Sequence, residues 1–301
     1  MRNIGIGVIM VCLVASSFLL GRSTAVVSED IQFPLLARRI LVENPNDSIV
    51  NFAPLRESIE NYMTTNNLTG SIYFEYLPTG TSIRVTGDSE LVAASLMKIP
   101  VVMDLYKAHE LGRINIDDLV TLKEEWLDTR YGELYKKGAG YQISFREAAR
   151  LAMSESDNTA YAAILYSTNK LLSLEENSIS AADVSFGRDD KREIVISARS
   201  YTSFLKCLYF GCFLNYDHSQ EVLEYLSKST FDDRLRAGIP SEVTVAHKIG
   251  TFSDTTQSDC GIVYVDKRNY AICIMLTSAE SAGNGHISSI SKLTYDFVTR
   301  P

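Results

Sequence analysis

Residues 94–100 read Ala-Ser-Leu-Met-Lys-Ile-Pro, and the fold turns on the pairing of Ser95 with Lys98. Residues three apart on a helix share a face, so the two side chains can come within hydrogen-bond reach. Serine is a poor nucleophile until a base takes its proton, and a lysine can be that base only where burial or neighbouring cations lower its pKa. Lys98 is surrounded in sequence by Ala, Leu, Met, Ile and Val, which suits such burial. A helix N-terminus near Ser95 would also aim backbone N–H groups at a developing oxyanion. Taken alone, Ser-x-x-Lys is weak, because a capping serine and a snorkelling lysine explain it as well.

Two further stretches give it weight. Ser156-Asp157-Asn158 stands in Met153-Ser-Glu-Ser-Asp-Asn-Thr-Ala160. A second hydroxyl beside the first can relay a proton to a leaving nitrogen, and an Asn amide can hold a substrate carbonyl. The same residues are preferred helix N-caps, and capping would fix the loop that carries Ser156. Lys248-Ile249-Gly250-Thr251 ends a β-rich run. A cation there can bind a carboxylate, Gly250 lets a substrate backbone approach the strand, and the Thr251 N–H can serve as a second oxyanion donor opposite that of Ser95.

S-x-x-K, S-D-N and K-x-G in this order form the signature of class A β-lactamases and penicillin-binding proteins. The chain resembles the class A family over residues 48 to 300, through Ala94–Pro100, the Ser-Asp-Asn-Thr-Ala stretch, and Asp233-Arg-Leu-Arg-Ala-Gly-Ile-Pro240 leading to Val245-Ala-His-Lys248. The resemblance implies an α/β (α+β) fold of the β-lactamase/transpeptidase type: an antiparallel sheet with flanking helices plus an all-helical subdomain, the active site between them. It implies Ser95 as the acylated nucleophile, Lys98 as the acylation base and Ser156 as proton shuttle. Asn158, Lys248, Gly250 and Thr251 would bind substrate.

The sequence departs from that pattern twice. Ile249 stands where the family has a hydroxyl residue between Lys and Gly, removing a hydrogen bond to the substrate carboxylate, so Ile249→Thr is expected to improve capture. Loop residues 171–193 lack the Glu-x-x-Leu-Asn pattern that supplies a deacylating base. Glu175, Glu176, Asp183 and Glu193 are present there, and each reads as a solvated loop carboxylate. Three functions therefore stand side by side: a serine β-lactamase-like hydrolase, a D-alanyl-D-alanine carboxypeptidase or penicillin-binding protein acting on peptidoglycan stem peptides, and a membrane-tethered binder without turnover.

Outward from these motifs, a helix is expected over 48–66, capped by Asp47 or Ser48, with Leu55, Ile59, Tyr62 and Met63 on one face. Gly70–Leu77 and Thr81–Thr86 read as a hairpin. Helices follow over Leu91–Leu111, Phe145–Leu165, Tyr201–Phe210 and Gln220–Ser227. Strands return at Val243–Lys248, Gly261–Val265 and Tyr270–Thr277, and a last helix covers Ile287–Val298. Strands at both ends suggest one sheet completed by the two chain ends around a helical insertion.

The 301 residues are 46% apolar and 22% charged, with a net charge of −8. That balance gives no basic face for nucleic acid. The N-terminus differs in kind: Arg2, an uncharged run from Ile4 to Leu20, then Arg22. Such a run is close to the roughly 20 residues that span a bilayer, and Ser23-Thr24-Ala25 would suit cleavage after Ala25. Residues 1–25 thus read as a signal peptide or a membrane anchor, 26–47 as a spacer and 48–301 as the hydrolase domain, outside the cytoplasm either way. Cys12 lacks the setting of a lipoprotein attachment site. Cys207, Cys212, Cys260 and Cys273 form no CxxC. Cys260 and Cys273 flank a hairpin turn near Lys267-Arg268 and can face each other; small buried thiols are the favoured reading, a disulfide the other. His109, His218, His247 and His286 have no ligand spacing, and His247 is expected to pack beside Lys248. No metal or cofactor is implied, the partner is a small-molecule β-lactam or a stem peptide, and a monomer is expected.

Overall fold

The computed structural model describes residues 51–300. The export segment at 1–25, the spacer and the cap at Asp47 or Ser48 lie outside the described residues. Among the described residues no helix is long and apolar enough to cross a membrane.

Helix α1 (Ala53–Thr65) carries Pro54 in its first turn, where a missing N–H costs nothing. Leu55, Ile59 and Met63 are buried as expected, and the Tyr62 hydroxyl meets His286 Nδ1 at 2.9 Å. The hairpin β1 (Thr69–Tyr76) and β2 (Thr81–Val85) follows, turning at Gly80, whose φ of +71° favours glycine. A single helix from Leu91 does not form. Strand β3 (Glu90–Val92) comes first, then a 3₁₀ turn (Ala94–Met97), then α2 (Lys98–Glu110). Leu91 pairs with Ile196 of a later strand, and an apolar run without Gly or Pro before Pro100 conceals that boundary.

A short ribbon of β4 (Leu119–Thr121) and β5 (Gln142–Ser144) leads into α3 (Phe145–Ser154) and α4 (Asn158–Thr168). The expected helical run 145–165 is therefore split around Ser156. After α5 (Ser178–Ala181) come β6 (Gly187–Arg188) and β7 (Ile194–Ser197), then α6 (Ala198–Phe210) and α7 (Tyr216–Ser227). The chain ends in β8 (Thr244–Phe252), β9 (Thr256–Tyr264), β10 (Tyr270–Thr277) and α8 (Glu280–Val298).

The main sheet has the order β2-β1-β10-β9-β8, every pair antiparallel. The first strand lies beside the last, so the two ends of the domain complete one sheet. Both faces are covered. Ile72, Phe74, Ile272, Ile274 and Leu276 join Leu55, Ile59, Ile287 and Ile290 of α1 and α8 in one core. Tyr73, Ala271, Cys273 and Met275 point the other way and join Tyr201, Phe204 and Leu208 of α6, in a core that continues through α2, α3, α4 and α7. This alternation is the two-residue period of a strand, with each face meeting its own helices. Glu75, on the α6 side, is satisfied by Lys206 Nζ at 2.9 Å and the Tyr73 hydroxyl at 2.7 Å.

The cysteines correct the sequence expectation. Cys260 and Cys273 face each other in the β9–β10 register and are joined by a disulfide. Cys207 and Cys212 form a second one across the end of α6, where Gly211 adopts φ +61° and reverses the chain.

Candidate active site

The break between α3 and α4 is built by three local devices. The Asp157 carboxylate caps α4 by accepting from Ala160 N at 2.8 Å and also accepts from Leu134 N at 2.9 Å. Asn158 N donates to Tyr131 O at 3.1 Å. Ser156, held between them, takes φ +55°, a strained value for a residue with a side chain and one that persists where surrounding structure fixes it. Ala94, just before Ser95, is at φ +45°. The 3₁₀ turn that follows is anchored from behind by Tyr201, whose buried hydroxyl donates to Leu96 O at 3.1 Å.

These devices bring the sequence motifs together. Lys98 Nζ donates to Ser95 Oγ at 2.7 Å, to Asn158 Oδ1 at 2.6 Å and to Ser156 Oγ at 3.3 Å. Lys248 Nζ reaches the same Ser156 Oγ at 2.8 Å from the opposite side. Both amines are buried, at 2% and 1% exposure. Burial is the main influence on each. It lowers Lys98 to a pKa of about 7, with Asp157 and Asp128 raising it and Arg130 lowering it further. A fall from 10.5 to about 7 corresponds to about 5 kcal/mol withheld from the ammonium form. Lys248 is likewise pushed well below its ordinary value by burial, then by Lys98 and Arg234, against Asp259. Two buried cations on either side of one hydroxyl disfavour each other's charge, so the Lys98 amine beside Ser95 gives up its proton near neutral pH.

Gly250 has a role the sequence did not indicate. A Cβ there would lie 3.0 Å from Leu96 Cγ and 3.1 Å from Ala93 O. The glycine lets β8 approach the turn that carries Ser95; its use in substrate approach is a separate matter. Ile249 is 1% exposed. It points to the face of β8 shared with Val245, opposite to that of Lys248 and Ala246, which belong to the other side of the sheet. The expectation that Ile249→Thr would improve capture loses its basis, because that side chain does not face Ser156. His247 lies on the same far side, paired with buried Asp259 at 2.9 Å and not packed against the Lys248 amine. Asp259 also accepts from Leu235 N at 3.0 Å.

Several neighbours escaped the motif reading. Arg234 is buried and donates to Gly250 O at 3.1 Å, Ser258 O at 3.0 Å and Thr251 Oγ1 at 2.7 Å, with Glu280 at 3.5 Å. It is a permanent cation at the end of β8. Phe231 lies 5.9 Å from Lys248 Nζ and 6.4 Å, ring to ring, from Tyr131 on the helical side. Asp128 accepts from Asn158 Nδ2 at 3.1 Å. Each of these sits far in sequence from its contact, so only Arg234, inside a stretch already singled out for resemblance, carried any prior signal.

In loop 171–193, Glu176 is engaged away from Ser95 and Asp183 lies at the surface. Glu176 binds Arg113 through both oxygens, at 2.6 and 2.8 Å. Asp183 lines a surface cavity with Asp88 and Glu90. The backbone of Glu193, through its N–H and its carbonyl, closes the β6–β7 turn with Asp189, and Glu175 is exposed.

A family model described as the beta-lactamase enzyme family matches residues 54–298. Among solved structures, PBP-A is similar, at 24% identity over 81% of this chain and 95% of that one, with a TM-score of 0.73. A mutant of PBP-A, solved as an acyl-enzyme complex with penicillin G, gives 23% identity, 81% and 95% coverage and a TM-score of 0.72. A beta-lactamase from Chitinophaga pinensis gives 20% identity, 81% and 98% coverage and a TM-score of 0.72. These likenesses are likenesses of fold. No curated protein sequence matches the chain.

Proposed function

Since the chain belongs to the beta-lactamase enzyme family and is a hydrolase of the serine beta-lactamase type, we propose that it reacts with β-lactams through an acyl-enzyme at Ser95. The observation that carries this reading is the convergence of Ser95, Lys98, Ser156 and Lys248 on one hydroxyl-and-amine cluster.

In the neutral form of Lys98 the lone pair faces the Ser95 hydroxyl while its two N–H groups serve Asn158 and Ser156. The amine takes the hydroxyl proton as Ser95 Oγ bonds to the β-lactam carbonyl carbon. The resulting oxyanion is held by the N–H groups of Ser95 and Thr251. The ring C–N bond then breaks. Ser156 gives its proton to the leaving nitrogen and takes one from the Lys98 ammonium, which restores the neutral base. Asn158 binds the substrate's amide carbonyl, and Lys248 and Arg234 draw its carboxylate. Water must then cleave the ester.

A second reading, a D-alanyl-D-alanine peptidase on peptidoglycan stem peptides, is favoured by the binding of Glu176 to Arg113 and the outward placement of Asp183. Neither is offered to an ester at Ser95, so a long-lived acyl-enzyme is expected with β-lactams. The two disulfides and the apolar run from Ile4 to Leu20 support a place outside the cytoplasm, where disulfides persist.

The test is intact-mass analysis after exposure to benzylpenicillin, with chromogenic cephalosporin turnover measured alongside. One adduct on the wild type and none on a folded Ser95→Ala variant is expected. Labelling that survives Ser95→Ala would end the proposal. Rapid return to the unmodified mass would favour the lactamase reading, and a lasting adduct with release of D-alanine from a stem peptide the peptidase reading.

A further inference from the structure

Asn158 lies between two charged partners. Its Oδ1 accepts from Lys98 Nζ at 2.6 Å, and its Nδ2 donates to Asp128 Oδ1 at 3.1 Å. A carboxylate only accepts. Turning the amide over would set its oxygen against the Asp128 carboxylate and its N–H groups against the lysine, so Asp128 decides the amide's direction. Asp128 is itself held from three sides. Arg130 Nε donates to its two oxygens at 3.1 and 3.0 Å, Arg130 N donates to Oδ1 at 2.9 Å, and Asp128 N donates to Thr159 Oγ1 at 2.9 Å in the first turn of α4. The Asp128 side chain is 21% exposed while that of Arg130 is 78% exposed.

We propose that Asp128 is a positioning residue for acylation: it occupies one N–H of Asn158, leaving the other for the substrate carbonyl, while Arg130 limits how much of the Asp128 charge reaches Lys98. The assignment rests on Ser95 being the nucleophile.

The groups that face Lys98 are few. Ser95, Ser156 and Asn158 bond to it, the Tyr161 ring lies 5.5 Å away, and Lys248 stands beyond Ser156. Asp157 and Asp128 favour its ammonium form, whereas burial and Arg130 oppose it. Asp157 has its oxygens committed to Ala160 N and Leu134 N, which leaves the Asp128–Arg130 pair as the adjustable part of this field. Removing the carboxylate and removing the guanidinium should therefore shift the lysine in opposite directions, something a purely structural loop contact would not do.

The second-order rate of acylation by benzylpenicillin is measured from pH 5 to 9 on wild type, Asp128→Asn and Arg130→Gln, with thermal melts to establish folding. In wild type the rate rises through pH about 7. In Asp128→Asn the midpoint is expected to move to lower pH, and the plateau to fall about tenfold or more, because an amide at 128 can donate as well as accept and no longer fixes the direction of Asn158. In Arg130→Gln, at an exposed position that leaves the fold intact, the midpoint is expected to move to higher pH with the plateau kept within about threefold. Midpoints that stay together or move the same way, or an Asp128→Asn plateau equal to that of wild type, would overturn the assignment. A wild type that takes no adduct would fell the Ser95 reading and this one with it, an outcome distinct from an acylated wild type with unmoved variants.

Discussion

The Lys98 amine can accept the Ser95 proton only when it carries none of its own. Its pKa is lowered to about 7, chiefly by burial, so the neutral fraction grows as pH rises through that value. The acylation rate is expected to climb roughly tenfold per unit below pH about 7 and to level off above it. A flat profile between pH 5 and 9, measured by single-turnover labelling, would mean that another group takes the proton. Ile249 makes a contrasting case. Its side chain is closed off on the far face of β8, directly across from the Asp259 carboxylate already held by His247 and Leu235 N, so Ile249→Thr would bury a hydroxyl away from the cleft at a cost of about 1–3 kcal/mol unless it bonds to Asp259. A lower melting temperature with no faster acylation is expected; faster capture of penicillin would show that the position does reach the cleft.

Single elements carry the next level of the design. Strand β8 and the 3₁₀ turn at Ala94–Met97 touch across Gly250, where an added methyl group would meet Leu96 Cγ at 3.0 Å and Ala93 O at 3.1 Å. Gly250→Ala should push the turn and the strand apart by a few tenths of an ångström. It is expected to reduce the acylation rate more than tenfold while costing about 1–2 kcal/mol in stability; an unchanged rate would mean that the turn absorbs the shift. Helix α5 is tied to α2 through Asp104, which accepts from Ser178 N at 2.7 Å. Burial raises Asp104 from 3.8 to about 6. Its contribution is therefore favourable below pH about 4 and is lost as pH rises through about 6, a cost of up to about 2–3 kcal/mol at neutral pH. Asp104→Asn keeps an acceptor for Ser178. It should raise the melting temperature at pH 7.5 and give no gain at pH 4, and a loss at both pH values would refute this account. The sequence disclosed these elements unevenly. Periodicity found α1, the first hairpin and the helices α6 and α7, and spacing found the three motifs. It could not show β3, because pairing with β7 is a long-range fact, nor the φ values of Ala94 and Ser156, which neighbouring loops impose. Asp128 was invisible as a partner for the same reason, and Arg234, although inside the quoted stretch 233–240, showed no sign of its contacts with Gly250 and Thr251, which are made in space.

At the scale of the whole molecule, the order of strands, helices and strands was legible because a sheet closed by the two ends of a domain leaves apolar segments at both ends of its sequence. The cysteines were not, since pairing depends on register. That register now gives the two disulfides different exposures to solvent. Cys212 is exposed at the end of α6, with Cys207 nearly buried behind it. Cys260 and Cys273 are fully buried, in a sheet covered on both faces. Thiol–disulfide exchange needs access to sulfur, so mild reduction of the folded protein should open the Cys207–Cys212 bridge alone. Peptide mapping after alkylation is expected to find Cys207 and Cys212 modified under native conditions, and Cys260 and Cys273 only after denaturant is added. Because the chain just after Cys212 meets the last residue of α2, where Asn215 N donates to Glu110 at 2.8 Å, while the cluster around Ser156 meets that helix at its first residue, Lys98, penicillin labelling should survive the first reduction. Equal rates of modification at all four positions would mean that the sheet opens as readily as the surface turn, and that the cleft it supports is far less rigid than the close approach of β8 to the Ser95 turn requires.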